Sequence, residues 1–316
     1  MFLNLKVYLM HITSENLDCC IVTLFVHNVC NYRCSYCDDY HRDGSDRWRD
    51  DWRPYFELIE RIKKNNKYLY VEVLGGEPTL WPKFQDFVDT ISEDNVFVEF
   101  STNASRTLNY WKKFRTHRAF AFLSWHYESA NDDHFYKVAE IMQDKASVSI
   151  PLMIIPENFE RAKKLFYRLT DLNVEITPKF TRTKIGGTNY FEYTDEQREW
   201  IKNNKHNKMK DFGIDWTFPR MLHYDGQPIS FMKVLDQNLH KFKGFTCTAG
   251  IRRLFVESDG NVLRCTKRVG GSLGNLFDTY TLPDEPIVCD YNACPCKLDA
   301  IVEKWNYGRN KTITCG

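Results

Sequence analysis

The stretch IVTLFVHNVCNYRCSYC, residues 21–37, decides how the rest of the chain is interpreted. Its first part, residues 21–27, is rich in β-branched and aromatic side chains, a composition typical of a buried strand. Cys30, Cys34 and Cys37 follow this strand in a CxxxCxxC arrangement. Three thiolates within so short a segment can surround one face of an iron–sulfur cluster and leave its fourth iron without a protein ligand. The segment therefore predicts a metal centre at the end of a strand.

A zinc site is the alternative interpretation of the same three cysteines. Structural zinc has four ligands, which often come from paired CxxC motifs. No fourth ligand follows at an obvious spacing, although His27 and His41 lie near in the sequence. The spacing favours a cluster over zinc.

The chain beyond residue 37 alternates apolar runs with stretches whose apolar residues recur three and four apart, as on one face of a helix. Six such units in succession require a parallel sheet with right-handed crossovers, which can curl into a full or partial barrel. The sequence therefore predicts an α/β fold with a partial (β/α)6 barrel of the TIM type. A helix is expected over residues 108–117, and the six strands are expected at residues 21–27, 69–74, 96–101, 119–125, 148–155 and 174–180.

Cysteines are bunched at both ends of the chain. Their number, 11, is odd, and the first residues show neither a basic segment nor a cleavage site, so a secreted disulfide scaffold is not expected. Two groups of thiols indicate two metal sites. The second group comprises Cys247, Cys265, Cys289, Cys294 and Cys296, with Cys315 beyond it.

Charge and hydropathy both indicate which classes of partner are not expected. Lys and Arg total 43 against 42 Asp and Glu, a net charge of +1. This near-cancellation argues against a nucleic-acid partner, which a broad basic surface would recognise. No apolar run reaches the roughly 18 residues that a membrane span needs, so no membrane partner is expected. The expected location is cytoplasmic.

The ordered motifs resemble those of the radical S-adenosylmethionine (radical SAM) superfamily. An aromatic residue, Tyr36, precedes the last cysteine of the CxxxCxxC motif, and the second predicted strand ends in GGEPTL, residues 75–80, which is similar to the GGEP motif of that family. The resemblance covers about residues 20–180. It implies a [4Fe–4S] cluster on Cys30, Cys34 and Cys37 whose open iron is chelated by SAM. It also implies reductive cleavage of SAM to a 5′-deoxyadenosyl radical that abstracts a hydrogen atom from the substrate.

The resemblance further implies which residues contact SAM, since loops after the strands of such a barrel surround one cavity. Gly75 and Gly76 would let the backbone approach the methionyl amine, with Glu77 nearby as an anion, and Tyr36 would lie beside the adenine. Other contacts would reach the ribose or the methionyl end, and an arginine would clamp a carboxylate. The implied set is Tyr36, Gly75, Gly76, Glu77, Pro78, Ser101, Asn103, Ser124 and Arg182.

The segment from Cys247 resembles the opening of the twitch and SPASM domains of this superfamily, with Gly260 and Cys265 following in order. Asp259-Gly260 predicts the tight turn of a β-hairpin over residues 254–265, which is expected to hold Cys247 and Cys265 together. The resemblance implies a small C-terminal Cys-rich domain with one auxiliary iron–sulfur cluster. Spacing does not decide which four of Cys247, Cys265, Cys289, Cys294 and Cys296 bind it, and structural zinc is the alternative.

The predicted domains are a radical SAM partial barrel over residues 1–190, a bridging segment over 191–245 and a twitch- or SPASM-like auxiliary cluster domain over 246–316. No catalytic residue is identified, although Cys19, Cys20 and Cys315 are candidates for a thiol that returns a hydrogen atom to a substrate radical.

The predicted activity is that of a radical SAM enzyme that modifies a peptide by crosslinking, epimerisation or oxidation. The alternatives are radical dehydrogenation or rearrangement of a small metabolite and, in another class, a non-enzymatic iron–sulfur or zinc-binding module. The enzyme would receive electrons from a flavodoxin or ferredoxin. Aromatic side chains are expected around the mouth of the cavity, where they would contact the substrate: Tyr40, Trp48, Trp52, Trp81, Trp125 and Tyr127.

Overall fold

A computed structural model of the chain describes residues 8–14, 19–115, 118–184, 189–213, 222–224 and 227–307. The chain divides into two compact units, each built from discontinuous segments. The terminal unit comprises Met1–Val22, Glu60–Tyr70 and Asp215–Gly316, and the parallel-sheet unit comprises Thr23–Ile59 and Val71–Ile214. The division into continuous domains at residues 190 and 245 stays a prediction.

Strands and helices alternate along most of the chain. The strands are β1 (Tyr8–Ser14), β2 (Cys19–Phe25), β3 (Tyr68–Leu74), β4 (Val96–Thr102), β5 (Ala119–Leu123), β6 (Trp125–His126), β7 (Ser147–Ile154), β8 (Glu175–Phe180), β9 (His206–Asn207), β10 (Leu222–Tyr224), β11 (Gln227–Ile229), β12 (Thr246–Cys247), β13 (Arg253–Val256), β14 (Asn261–Leu263), β15 (Ser272–Asn275), β16 (Ile287–Val288) and β17 (Lys304–Tyr307). The helices are α1 (Arg53–Lys63), α2 (Phe84–Ile91), α3 (Leu108–Lys112), α4 (Asp132–Met142), α5 (Phe159–Leu169), α6 (Asp195–Asn203), α7 (Phe231–Asp236) and α8 (Lys297–Ala300).

The parallel-sheet unit carries the predicted α/β architecture. Its strands run in the order β2-β3-β4-β5-β7-β8, so neighbours in the sequence are neighbours in the sheet. The pairs β4–β5, β5–β7 and β7–β8 are parallel, and the short β9 pairs antiparallel with β8. The prediction of an α/β fold with a mostly parallel central sheet is confirmed.

Helices cover the sheet with the faces that the apolar spacing predicts. Helix α2 buries Phe84, Phe87, Val88 and Ile91, because residues three and four apart share one face of a helix. The corresponding stripe of α5 includes Phe166 and Leu169 and is also buried. Within the described part of the chain, no helix combines the length and the apolar content that a membrane crossing requires.

Two expected elements differ from those in the structure. The helix expected over residues 108–117 ends at Lys112, and the Lys113 N–H caps its last turn; residues 116–117 lie outside the described residues. The strand expected over 119–125 is interrupted at Ser124, whose N–H donates to the carbonyl of Thr102 at 2.8 Å. That bond joins Ser124 to the carboxyl end of β4 and separates β5 from the short β6, so it places Ser124 where strand ends meet.

The terminal unit contains a sheet of strands in the order β11-β10-β1-β17-β12-β16, all of whose pairings are antiparallel. The predicted hairpin is confirmed as β13 and β14, which pair Phe255 with Leu263 across a turn where Gly260 has a φ of +90°. Cys247 lies on β12, opposite Lys304 of β17. The expectation that the hairpin itself holds Cys247 is therefore wrong, because β17 and β16 flank this cysteine.

Candidate active site

A cavity of about 250 Å³ opens where the parallel strands end. Side chains that follow β2, β3, β4 and β5 converge on it, as is usual for sites at the carboxyl edge of a parallel sheet. Most of the residues expected to bind a cluster or SAM line this cavity. They are Cys30, Cys34, Tyr36, Cys37, Gly75, Gly76, Glu77, Ser101, Asn103 and Ser124.

The cysteine loop is fixed by polar contacts that sequence reasoning missed. The guanidinium of Arg42 donates to the carbonyl of Cys34 at 2.6 Å. On the other side, the backbone N–H of Ser35 donates to the Glu128 carboxylate at 2.6 Å, and the Ser35 hydroxyl donates to the same carboxylate. Spacing in the sequence gives no signal for these partners, because Glu128 follows β6, far along the chain.

Burial disfavours the thiolate form of all three cysteines in this loop. Burial raises the pKa of Cys30, Cys34 and Cys37, that of Cys34 to about 11. A metal binds the thiolate and supplies the charge that burial otherwise penalises. The side-chain amide of Asn103 lies 4.0 Å from Cys30 Sγ, within range of a weak hydrogen bond to sulfur.

The donor set fits an iron–sulfur cluster. Three soft thiolates face one cavity, and thiolates are the usual ligands of such clusters. Among the described residues, no group of three or more His, Cys, Asp and Glu side chains is arranged as ligands around a single metal ion. A cluster offers a different iron to each thiolate, so its ligands stand further apart than those of one ion. His41 also lines the cavity, and its Nδ1 is buried with no hydrogen-bond partner in the described structure.

Gly75 and Gly76 bring the end of β3 against the chain that leads to the cysteines. The N–H of Gly76 donates to the carbonyl of His27, and the N–H of Glu77 donates to the carbonyl of Val29, both at 2.8 Å. A Cβ atom at Gly76 would lie 2.5 Å from the Val29 oxygen and 2.8 Å from the His41 oxygen. Only glycine permits this approach, since both neighbours are backbone atoms.

The Glu77 carboxylate is buried and accepts hydrogen bonds from a residue that follows β3 and from the end of β4. Its Oε1 accepts hydrogen bonds from the N–H and hydroxyl of Thr79 and from the Thr102 hydroxyl, and its Oε2 accepts one from the Asn103 N–H at 2.6 Å. Burial raises the pKa of Glu77, while these hydrogen bonds act in the opposite direction. Thr79 and Thr102 are partners that the sequence analysis did not identify, although both stand beside residues that it did.

Tyr36 contributes an aromatic wall to the cavity. Its ring stacks on Tyr127 with centroids 5.5 Å apart, and its hydroxyl lies 2.6 Å from Nδ1 of His126. Burial lowers the pKa of His126 to about 4, so its imidazole is neutral at neutral pH. Tyr36 is therefore held in place from two sides and presents the rest of its surface to the cavity.

Other expected residues lie away from the cavity. Pro78 is buried at the start of a short 3-10 turn, and Arg182 is exposed and donates to the Tyr190 hydroxyl at 3.3 Å. Cys19 and Cys20 are buried within β2, where burial raises the pKa of Cys20 to about 12. Cys315 lies outside the described residues.

None of the six aromatic side chains expected around the mouth is among the residues that line the cavity. Tyr127 is 5% exposed, and Trp81 and Trp125 are only 1% and 0% exposed. The Trp81 ring nitrogen donates to the carbonyl of Arg49, and that of Trp125 donates to Asp132. Both indoles are core residues with satisfied N–H groups, as is usual for buried tryptophans.

A second, smaller cavity of about 20 Å³ lies in the terminal unit. Cys247, Cys265, Cys289 and Cys294 line it, and each is less than 9% exposed. Cys296 is not among its lining residues and instead precedes α8 as the N-cap residue. Four cysteines are the ligand set of a cluster or of zinc, but these four thiols, like those of the first site, are not arranged around a single metal ion.

The fold and the first cavity together define a cofactor-binding enzyme whose site combines a thiol triad with a Gly-Gly-Glu turn. Residues 24–199 match the family model of the radical SAM superfamily, more than half of the chain. The chain belongs to the radical SAM superfamily. It is a radical SAM enzyme, which excludes the non-enzymatic module, and its family implies a [4Fe–4S] cluster and SAM.

Solved structures support the fold. The crystal structure of Streptococcus suis SuiB bound to precursor peptide SuiA aligns with a TM-score of 0.54 at 15% identity, covering 83% of this chain and 63% of SuiB. Native anSMEcpe with bound AdoMet aligns with a TM-score of 0.50 at 16% identity, covering 83% of this chain and 79% of that one. Identities this low show a shared fold.

Two curated relatives match over a short region. The 7-carboxy-7-deazaguanine synthase of Bacillus subtilis (strain 168) is 28% identical over 87 residues, which is 26% of this chain and 36% of the synthase. The enzyme of the same name from Bacteroides thetaiotaomicron is 36% identical over 81 residues, 25% of this chain and 39% of that enzyme. The chain thus spans less than two fifths of the length of these relatives.

Replacing Gly76 with alanine is expected to remove most of the iron that the first site holds. The added Cβ would collide with the carbonyls of Val29 and His41 and push the cysteine loop away from β3. Iron per chain after anaerobic reconstitution measures the effect, with circular dichroism to confirm folding. Lys137→Ala is the control for a change to alanine, because Lys137 is exposed on α4 and does not line the cavity. Equal iron in a folded Gly76→Ala and the control would contradict this account of the turn.

Proposed function

We propose that the protein cleaves SAM reductively in the first cavity and removes a hydrogen atom from a bound substrate. The observation that carries the proposal is the convergence of three thiols, the Gly75–Glu77 turn and the polar ends of β4 and β5 on one space. When bound, the cluster and SAM together supply the carbon-centred radical that attacks the substrate.

The position of each residue indicates which part of the cluster or of SAM it would contact. Cys30, Cys34 and Cys37 would hold the cluster and leave one iron open. Asn103, whose N–H is fixed by Glu77, would present its amide to the same space. The Tyr36 ring would pack against the flat adenine, which suits an aromatic wall held on two sides. Orientation and exclusion of water are the contributions that a protein makes to such chemistry.

Replacing Cys30, Cys34 and Cys37 together with alanine is expected to abolish formation of 5′-deoxyadenosine from SAM, because no cluster remains to deliver an electron. Chromatography of an anaerobic reaction with dithionite measures this product. Cys296→Ser serves as the control for loss of a thiol, since Cys296 does not line the first cavity. Cleavage of SAM by the triple variant would rule out the proposed reaction.

A peptide is the substrate class we favour. SuiB, whose structure holds its precursor peptide, shares the fold over 83% of this chain. A cavity at a sheet edge, with apolar walls and a few polar anchors, suits a side chain presented by an extended segment. The modification would be a crosslink, an epimerisation or an oxidation, with an electron donor of the flavodoxin or ferredoxin class.

A small metabolite is the second candidate. Its support is the sequence similarity to the two 7-carboxy-7-deazaguanine synthases, which reaches 36% identity over 81 residues. The matched region spans only about a quarter of the chain. It therefore supports a shared substrate more weakly than it supports membership of the same family.

The two candidate substrate classes can be separated by adding size fractions of an extract of the encoding organism to the reconstituted protein with SAM. A peptide substrate is expected to raise 5′-deoxyadenosine formation above the rate with SAM alone, because substrate binding couples cleavage to hydrogen abstraction. Pretreatment of the active fraction with a broad protease, later inactivated, should remove this stimulation. Stimulation that survives the protease would reject the peptide and favour the metabolite.

We infer that the second cavity holds an auxiliary iron–sulfur cluster on Cys247, Cys265, Cys289 and Cys294. Among the described residues of the terminal unit, these four thiols line one cavity, and burial raises the pKa of Cys265, Cys289 and Cys294. A metal would remove that penalty by binding the thiolates. Such a cluster could accept an electron during substrate oxidation or hold the substrate.

Iron analysis tests the auxiliary site. The reconstituted protein is expected to carry about eight irons, and the Cys30/Cys34/Cys37 triple alanine variant about four, on the stoichiometry of two cubane clusters. Adding Cys294→Ser to the triple variant should remove the remaining four, whereas adding Cys296→Ser should not. Zinc in place of these irons would make the site structural and refute the auxiliary cluster.

A further inference from the structure

Three charged side chains are buried beside the second cavity. Arg253, Asp299 and Lys304 are each no more than 2% exposed. Arg253 Nε lies 2.8 Å from Asp299 Oδ1, and Asp299 Oδ2 accepts hydrogen bonds from the backbone N–H and the hydroxyl of Thr266. The Asp299 carboxylate is therefore already engaged by a cation and by the residue that follows Cys265.

Lys304 carries a positive charge of its own in this environment. Its Nζ donates to the carbonyls of Asp299, Ala300 and Val302, at 2.5, 3.3 and 2.8 Å. Three donated hydrogen bonds use all three hydrogens of an ammonium group, so the side chain is charged. Among the described residues, no carboxylate forms a salt bridge with Lys304 Nζ; the ammonium rests on backbone oxygens.

Lys304 lies beside the thiols of the second cavity. Lys304 lines the same small cavity as Cys247, Cys265, Cys289 and Cys294. It is also the cross-strand partner of Cys247 in the β12–β17 pair. The Lys304 ammonium lowers the pKa of Cys289 and of Cys294, against the larger effect of burial.

A charge count shows what the cavity lacks. Arg253 and Lys304 contribute two positive charges and Asp299 one negative charge, and the half-buried Lys267, which also lines the cavity, adds a further positive charge, so the group has a net positive charge. Buried charges that are not matched cost several kcal/mol, which a protein avoids by placing opposite charge next to them. Four cysteine thiolates bound to a metal group carry a net negative charge in just this cavity.

We propose that Lys304 is the counter-charge of the metal-bound thiolates of Cys247, Cys265, Cys289 and Cys294, and so stabilises the auxiliary cluster and raises its reduction potential. The proposal rests on the auxiliary cluster proposed above. Positive charge close to a cluster favours the reduced form, which carries one more electron. Lys304 would act on the cluster through its charge and would not be a ligand, since its Nζ donates hydrogen bonds to carbonyl groups of the chain.

A simpler role is available for the same contacts. The carbonyls of Asp299 and Ala300 belong to the last turn of α8, and a lysine commonly caps such a turn. A cap requires hydrogen-bond donors, whereas a counter-charge requires the positive charge. Variants that separate these two properties decide between the roles.

The test uses the full chain with Cys30, Cys34 and Cys37 replaced by alanine, so that the signal comes from the second site alone. Lys304→Gln keeps two N–H donors but loses the charge, and Lys304→Met is a second neutral variant should the first not fold. Lys304→Arg keeps the charge. Lys243→Met is the control for removal of an exposed positive charge in the same unit. Circular dichroism confirms folding of each variant.

Two readouts follow reconstitution with iron and sulfide. In an electron paramagnetic resonance titration, Lys304→Gln should show a more negative midpoint potential than the parent. Its iron should pass to a chelator about 10-fold faster or more, the usual scale for loss of a residue that supports metal ligands. Lys304→Arg and Lys243→Met should match the parent in both readouts.

Unchanged potential and chelator rate in folded Lys304→Gln would overturn the inference and indicate a cap, since glutamine keeps N–H donors. Equal iron loss from Lys304→Gln and Lys304→Arg would also overturn it, because keeping the charge would then not preserve the site. The Cys30/Cys34/Cys37 triple alanine variant with Lys304 intact, the parent, distinguishes failure of the Lys304 proposal from failure of the auxiliary-cluster proposal. If the parent binds zinc and no iron, the cluster proposal fails by itself, and zinc release from Lys304→Gln applies the same charge test. If the parent binds neither metal, both proposals are wrong.

Discussion

The first cavity depends on one buried carboxylate. Glu77 is only 1% exposed, and it is tolerated there because Thr79, Thr102 and Asn103 donate hydrogen bonds to it. These bonds join the turn after β3 to the end of β4. Removing the carboxylate would leave several buried donors without a partner, each at a cost of about 1–3 kcal/mol. Glu77 thus links the two strand ends at the point where both line the cavity.

The same turn also positions the cysteine loop, through backbone rather than side chains. Gly76 and Glu77 donate to the carbonyls of His27 and Val29, directly before the first cysteine. Arg42 and Glu128 hold the loop from its other sides. A loop fixed at several points keeps its thiols in place before metal arrives, and less ordering remains to be done when the metal binds.

How far the sequence predicts this site depends on the range of the interactions. The CxxxCxxC spacing, the Gly-Gly-Glu turn and the apolar periods are local, and they predict the strands and the residues at their ends. The partnership of Glu77 with Thr102, and of Ser35 with Glu128, exists only once distant strands are neighbours. The same limit applies to the second cavity, where spacing leaves five candidate cysteines and only the folded chain shows that Cys296 does not line the cavity with the other four. The prediction that Trp81 and Trp125 lie at the mouth was wrong for a related reason, because composition cannot distinguish an aromatic residue that lines a cavity from one buried in the core.

The comparisons point to different substrates without contradiction. Residues 24–199, which match the superfamily, include every residue that lines the first cavity. That part of the fold serves the step that all its members share, and a fold by itself does not choose a substrate. A peptide-bound enzyme can therefore share the fold of this chain while deazaguanine synthases share part of its sequence. Substrate choice must then rest on side chains that the shared motifs leave free to vary, and Glu77, Gly76 and the three cysteines carry no information about it.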